Sequence, residues 1–124
     1  MRVEKEALVE AIKALKKMGW KPGKDAAGAA FWIHRREWDR CVELGAVGVR
    51  PLIRFIENEY SHIESAVDAL VRIGDPSVKP LIILLKHKSP NERLRAAKAL
   101  GRIGNKIAIE PLAARLKDKD GEVI

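Results

Sequence analysis

Apolar residues recur at every third or fourth position along most of the chain, and this period predicts amphipathic helices. The first predicted helix runs from Val3 to Met18 and has a polar face rich in lysine. Gly19 ends it as a C-cap, and Asp25 can cap a second helix from Ala26 to about His34. The next helical stretch carries Trp38, and the pattern leaves open whether it continues the second helix.

After this segment the pattern repeats with a period of about thirty residues. Three glycines stand in register, and a proline follows each one at a similar distance. The glycines are Gly45, Gly74 and Gly104, and the prolines are Pro51, Pro80 and Pro111. Each proline falls early in a predicted helix, where a missing amide costs little. The repeat therefore predicts one helix pair for each period.

The predicted pairs follow one another without a long linker. They are Val47–Glu57 with Ser61–Ile73 and Ser77–Lys86 with Pro90–Ile103, and an unpaired helix, Ile107–Leu116, follows. One pair cannot bury its apolar face alone, so the pairs must stack on one another. The 124 residues are then a single domain. It divides into a divergent cap unit at 1–45, repeats at 46–74 and 75–104, and an incomplete repeat at 105–124.

The incomplete last repeat has a consequence for assembly. The chain stops at Val123 and Ile124, where the second helix of that repeat would begin. The unpaired helix is expected to expose Ile107, Leu112 and Leu116, and helical stacks need polar ends to stay soluble. This pattern predicts either a homodimer through the open carboxyl-terminal end or a chain cut from a longer protein.

The start of the second helix in the central repeat has its own signature. Ser89-Pro-Asn-Glu92 matches a capping box, in which the serine oxygen and the glutamate carboxylate each satisfy a backbone amide. Arg93 follows and is expected to donate to carbonyl oxygens at the turn between helices. We assign structural roles to Ser89, Glu92 and Arg93. Four small residues further along are expected to let this helix approach its neighbours closely: Ala96, Ala97, Ala99 and Gly101.

The segment GDPSVKPLIILLKHKSPNERLRAAKALGRIG, residues 74–104, resembles the short HEAT repeats of bacterial and archaeal proteins called PBS-lyase HEAT-like repeats. Arg93 falls in the arginine position of that pattern, whereas His87 replaces an acidic residue and Glu92 a valine. The preceding pair departs further, because Ile63 stands where the arginine is expected. The amino-terminal unit is similar to that of such proteins through Gly19-Trp20 and the stretch from Trp38 to Gly45.

The resemblance implies an all-α fold, a right-handed α-α superhelix that forms a HEAT-like helical repeat solenoid. Most proteins of this kind serve protein–protein interaction, and a minority are tied to bilin lyases, a di-iron hydroxylase and DNA glycosylases. The second helices of such a stack line its concave side, which is the usual binding surface.

Outward positions on the second helices, aligned by their terminal glycines, form the predicted partner-binding face. They are Arg36, Asp39, Glu43, Asp68, Arg72, Arg95, Lys98 and Arg102. This face is expected to change from mixed and acidic at the amino end to basic at the carboxyl end. It serves either as a recognition surface for an acidic protein segment or as a solvated face on which Asp39 and Asp68 form weak ion pairs with Arg72 and Arg102.

The net charge of +7 supports a second interpretation, binding to nucleic acid. Its candidate residues are Lys13, Lys16 and Lys17 in the first helix and Arg95, Lys98 and Arg102 in the fourth repeat helix. The acids on the same concave face oppose it, because they would repel a phosphate backbone. Aromatic side chains stack on bases when they are exposed. The tryptophans at 20, 32 and 38 fall instead among apolar positions, which predicts core or cap roles.

Catalysis has little support in the residues, and we expect no enzyme activity, metal or cofactor. The histidines, His34, His62 and His87, are scattered, and no P-loop, Rossmann fingerprint or Ser-His-Asp set is present. Cys41 is the single cysteine and is predicted to be a small buried hydrophobe. An accessory subunit of a lyase-type enzyme stays open as a further alternative.

The hydropathy pattern gives no membrane segment. The longest purely apolar run, Leu81–Leu85, is far shorter than the roughly 18 residues of a membrane span. The amino terminus is charged, unlike an apolar signal core. We therefore expect a soluble cytoplasmic protein. The 33% charged residues and the absence of Gln and Thr are typical of heat-adapted proteins.

Overall fold

A computed structural model describes residues 2–59 and 61–117, and in these ranges it contains eight α-helices and no β-strand. The helices are α1 (Arg2–Lys17), α2 (Ala26–His34), α3 (Trp38–Glu43), α4 (Ala46–Asn58), α5 (Ile63–Ile73), α6 (Val78–Leu84), α7 (Pro90–Ile103) and α8 (Ile109–Ala114). Short 3₁₀ turns at Asp75–Ser77 and Lys106–Ala108 precede α6 and α8, and a third, Arg115–Lys117, follows α8. The predicted all-α fold is confirmed.

The helices form two layers. Each first helix packs on the second helix of its own unit, α2 on α3, α4 on α5 and α6 on α7. Helices α2, α4 and α6 also contact in succession, and so do α3, α5 and α7. Each unit therefore buries the apolar face of the next, and the described part of the chain is a helical repeat solenoid.

The glycines in register form the sharp turns between units. Gly45 has φ 63° and ψ −133°, and Gly74 has φ 83° and ψ −130°. A residue with a Cβ rarely adopts this conformation, because the side chain clashes with its own backbone. The thirty-residue recurrence of glycine in the sequence thus marks the points where the chain leaves one unit and enters the next.

Helices α2 and α3 are separate, which settles the point that the sequence left open. Arg36 adopts the left-handed conformation at φ 60° between them. The amide of Arg36 donates to the carbonyl of Ile33 and the amide of Glu37 donates to that of Trp32, at 3.0 and 2.9 Å. This pair of bonds is the Schellman motif that commonly ends a helix, with arginine in the position usually taken by glycine.

The core runs through all the units. Leu52, Leu70, Leu81 and Leu100, one from each helix from α4 to α7, are almost completely buried. Cys41 is also fully buried, as predicted, and burial raises the pKa of its thiol to about 11. The thiol therefore behaves as a small apolar side chain.

The tryptophans occupy the amino-terminal unit. Trp32 and Trp38 are partly buried and pack against the core, in line with the sequence prediction. Trp20 lies outside this cluster and makes an edge-to-face contact with Phe31, with ring centroids 5.7 Å apart. Trp20 therefore contacts α2 outside the core.

Of the N-terminal caps predicted for α2 and α7, one forms and one does not. Asp25 Oδ1 accepts a 2.8 Å hydrogen bond from the Gly28 amide, so α2 begins as expected. The prediction of a capping box at α7 is wrong, although the helix starts at Pro90 as predicted. The Ser89 side chain makes no capping bond there, and its amide donates to His87 Nδ1 at 3.0 Å. The Glu92 carboxylate binds Arg95 on its own helix instead.

The last described helix is only partly exposed. Ile107 and Leu116 are 53% and 63% exposed, as predicted. Leu112 is different, because it is partly buried against the core, so the prediction for this residue is wrong. Arg115 Nη1 donates to the Leu85 carbonyl at 2.7 Å and ties the end of α8 to the preceding unit. The predicted stop of the repeat at 123–124 lies outside the described residues.

Candidate functional site

The second helices present a continuous polar surface, which we call the α3–α5–α7 face. It carries seven of the eight side chains predicted to bind a partner: Asp39 and Glu43 from α3, Asp68 and Arg72 from α5, and Arg95, Lys98 and Arg102 from α7. Five of these residues are exposed, and Asp68 and Arg95 are partly buried. The layered packing places the three helices side by side, so the residues share one surface.

Two ion pairs cross this face at equivalent places in successive units. Arg72 Nη1 lies 2.8 Å from Asp39 Oδ1, and Arg102 Nη2 lies 2.9 Å from Asp68 Oδ1. The first joins α5 to α3 and the second joins α7 to α5. These are the pairs that the sequence offered as the alternative to recognition, and each is exposed, so each contributes about 0–1 kcal/mol. They neutralise Asp39 and Asp68, two of the three acids on this face.

Among the described residues, the remaining charges leave one cation of this face without a carboxylate partner. Glu43 lies 3.8 Å from Arg40 on the same helix, and Arg95 pairs with Glu92. Lys98 is exposed and has no carboxylate partner among the described residues. The positive charge that remains for a partner is therefore concentrated on α7.

Lys98 and Arg95 border a shallow groove of about 140 Å³ between α5 and α7. Its floor contains Val67 and Leu94, and Glu64 stands on the α5 side. The groove thus combines a small apolar floor with two basic groups on one wall. A short acidic segment that lays an apolar side chain between the helices matches this arrangement.

Arg36 does not belong to the α3–α5–α7 face, and its predicted placement is wrong. It lies in the left-handed turn before α3, outside any helix. Its guanidinium carbon stands 5.0 Å from the centroid of the Phe55 ring on α4, and its Nη1 donates to the Ile33 carbonyl at 2.9 Å. The alignment by glycines assumed one continuous helix here, whereas the Schellman turn directs the side chain to the layer of first helices.

Arg93 makes the turn contacts that were predicted for it. Its side chain is buried, and Nη1 donates to the carbonyls of His87 and Lys88 at 2.7 and 2.9 Å. These carbonyls end the segment that connects α6 to α7. One guanidinium therefore holds the connection between the two helices of the central repeat.

His87 has a connecting role that sequence reasoning missed. Its Nδ1 accepts the Ser89 amide, so the ring proton of the neutral form lies on Nε2, which stands 3.4 Å from Glu57 Oε2 on α4. The histidine thereby links the α6–α7 turn to the previous unit. The sequence did contain a signal for this role, because His87 replaces an acidic residue of the repeat pattern.

The described residues include neither a candidate metal-binding cluster nor a candidate membrane span. No group of three or more His, Cys, Asp or Glu side chains there is arranged to hold a metal ion. Within the same ranges, no helix has the length and apolar character needed to cross a membrane.

The two helix layers, the glycine turns and the polar face on the second helices define a helical-repeat protein. A family model of HEAT repeats matches residues 49–124, which is more than half of the chain, and the chain belongs to this family. HEAT repeats generally act as protein-interaction scaffolds and are generally not catalytic. No curated protein and no solved structure matched the chain in the same comparisons.

Proposed function

We propose that this protein is a non-catalytic scaffold that binds a protein partner through its α3–α5–α7 face. Membership of the HEAT-repeat family supports the general role. The partner segment that the face fits best is acidic, because Lys98 is the cation there without a carboxylate among the described residues.

The groove between α5 and α7 carries the proposal. Its apolar floor and its basic wall offer two different interactions within a few residues of each other. Apolar contacts supply affinity, and charged groups at the rim mainly supply orientation and a faster association. A partner helix or strand with one apolar side chain beside an acidic one satisfies both.

The charges of the described residues make nucleic-acid binding the weaker of the two interpretations. Lys13 pairs with Glu10 at 3.3 Å, and Arg95 and Arg102 pair with Glu92 and Asp68. Three of the six basic residues proposed for phosphate binding therefore already have carboxylate partners. A phosphate backbone would have to displace those carboxylates or lie beside them.

The test reverses the charge of one lysine on the face. Lys98→Glu places an acid beside the groove without removing an observed ion pair, and Lys79→Glu on α6 makes the same change in the other layer. Tagged full chains are expressed in the source cells, and the proteins that co-purify are quantified by mass spectrometry.

We expect Lys98→Glu to lose at least one protein that the wild type and Lys79→Glu both retain. Equal recovery of every partner by the two variants would contradict the proposed face. Recovery of nucleic acid alone, with an affinity that falls steeply as salt rises, would contradict the choice of a protein partner.

A further inference from the structure

A second site lies on the opposite layer, between the amino-terminal half of α1 and helices α2 and α4. A cavity of about 530 Å³ opens there, and its apolar wall includes Leu8, Ile33, Pro51 and Phe55. Small-molecule sites in proteins commonly have volumes of about 300–1,000 Å³ and are lined mostly by apolar side chains. The cavity has the size and the lining of such a site, and it is distinct from the proposed partner-binding face.

The rim of this cavity is cationic. Arg50 and Arg54 stand one turn apart on α4, are exposed, and have no carboxylate partner in the part of the chain that the structure describes. Lys5 also lines the cavity, and it lies 3.6 Å from Glu59, the one carboxylate among the lining residues. That single acid is therefore already matched by a cation, and the two arginines remain as excess charge.

Arg36 adds a third guanidinium, held in a fixed position. The left-handed turn and the contact with Phe55 orient it, and one of its nitrogens binds the Ile33 carbonyl. The other guanidinium N–H groups have no partner among the described residues. A planar guanidinium matches carboxylate and phosphate oxygens in two-bond geometry, and a preoriented one loses less entropy on binding.

The charge around the cavity also acts on His34, which lines it. Burial first, and then the charges of Arg36 and Arg35, lower the pKa of His34, so its ring is neutral at pH 7. The surroundings already disfavour one more positive charge. A bound anion would offset this repulsion.

The α1 side of the cavity is exposed to solvent. No side chain of this helix from residue 5 to 17 is fully buried, and Leu8 is 42% exposed although it lines the cavity. The α1 and α2 walls also lie outside the residues 49–124 that match the HEAT-repeat model. The cavity is therefore formed by the divergent amino-terminal unit together with one repeat helix.

We propose that this cavity binds an amphipathic organic anion. The apolar body of the ligand lies against Leu8, Ile33 and Phe55, and its carboxylate or phosphate head meets Arg36, Arg50 and Arg54. Three arginines and an apolar wall favour a ligand that has both an apolar body and an anionic head.

Isothermal titration calorimetry on the full chain tests this, with decanoate, decyl phosphate and decanol as probes below their aggregation concentrations. We expect saturable binding of at least one of the two anions and roughly tenfold weaker binding of decanol, which lacks the charge. The anion that binds more tightly identifies the head group. Absence of saturable binding by both anions, or equal binding of decanol, would overturn the proposal.

Charge-neutral variants locate the site. Arg50→Gln and Arg54→Gln change exposed side chains, so the fold should persist, and each is expected to weaken anion binding about fivefold. Arg35→Gln makes the same change in net charge at a residue beside the cavity that is not in its lining, and it should weaken binding less than either of these variants. Ala30→Leu fills part of the cavity beside its apolar wall and should weaken the binding of all three probes. Wild-type affinity in the Arg50→Gln, Arg54→Gln double variant would overturn the assignment.

Discussion

Gly74 ends α5 with φ 83° and ψ −130°, which a residue with a Cβ seldom adopts. A methyl group added there meets no atom within 4 Å, so any cost of a substitution comes from the backbone itself. Gly101 lies inside α7, and an added methyl group meets open space there too. Of the four small residues expected to allow a close approach of α7, Ala96 and Ala99 are fully buried, whereas Gly101 is exposed.

The two glycines give opposite predictions for the same substitution. Gly74→Ala should lower the free energy of unfolding by about 1–3 kcal/mol, because alanine is strained in that conformation. Gly101→Ala should raise it by about 0.5–1 kcal/mol, because alanine favours the helix and loses less entropy on folding. Urea unfolding followed by circular dichroism measures both. Stabilisation by Gly74→Ala would show that the turn does not require glycine.

The sequence predicted single residues well where one local rule decides the outcome. Asp25 caps α2, and Cys41 is buried, because spacing and apolar neighbours determine these results. Ser89 and Glu92 matched a local pattern as well, yet His87 takes the amide that the box assigns to the glutamate. The competing acceptor depends on how the α6–α7 turn folds, which the capping pattern does not contain.

The positions of the helices could be predicted from hydrophobic periodicity and from the glycine and proline residues near their ends. Helix α2 has the predicted limits, and α7 begins and ends where its proline and glycine indicated. The break between α2 and α3 was left open because arginine, unlike glycine, is not a signal for a left-handed turn. That one turn moved Arg36 from the predicted face to the other layer.

The connection between α6 and α7 depends on Arg93, and this gives a prediction at the scale of elements. Arg93→Ala removes the hydrogen bonds to the His87 and Lys88 carbonyls. The free energy of unfolding should fall by about 2–4 kcal/mol, because charged hydrogen bonds in a buried position are lost. Lys86→Ala, an exposed change on the same connection, should stay within about 0.5 kcal/mol. A similar small loss for Arg93→Ala would contradict the structural role.

At the scale of the molecule, the repeat was sufficient to predict the family and the layered stack. The acids that pair with Arg72 and Arg102 lie 33 and 34 residues earlier in the chain, and the sequence offered these pairs only as the alternative to a recognition surface. The cavity was not predicted, because it depends on how Lys5 and Leu8 of α1 lie relative to α2 and α4. The spacing of Arg50 and Arg54, one turn apart, was a sequence signal for its basic rim.

The central claim is that a protein partner contacts the groove between α5 and α7. Asn91 is exposed and lines that groove, whereas Lys86 is exposed at the end of α6 outside it. A photo-reactive amino acid can be placed at either position in the full chain and activated in the source cells. The adduct then reports which surface the partner touches, and Lys98 and Arg95 stay unchanged. We predict a protein adduct from position 91 that is absent from position 86. Adducts of equal yield from both positions, or an adduct with nucleic acid alone, would contradict the account.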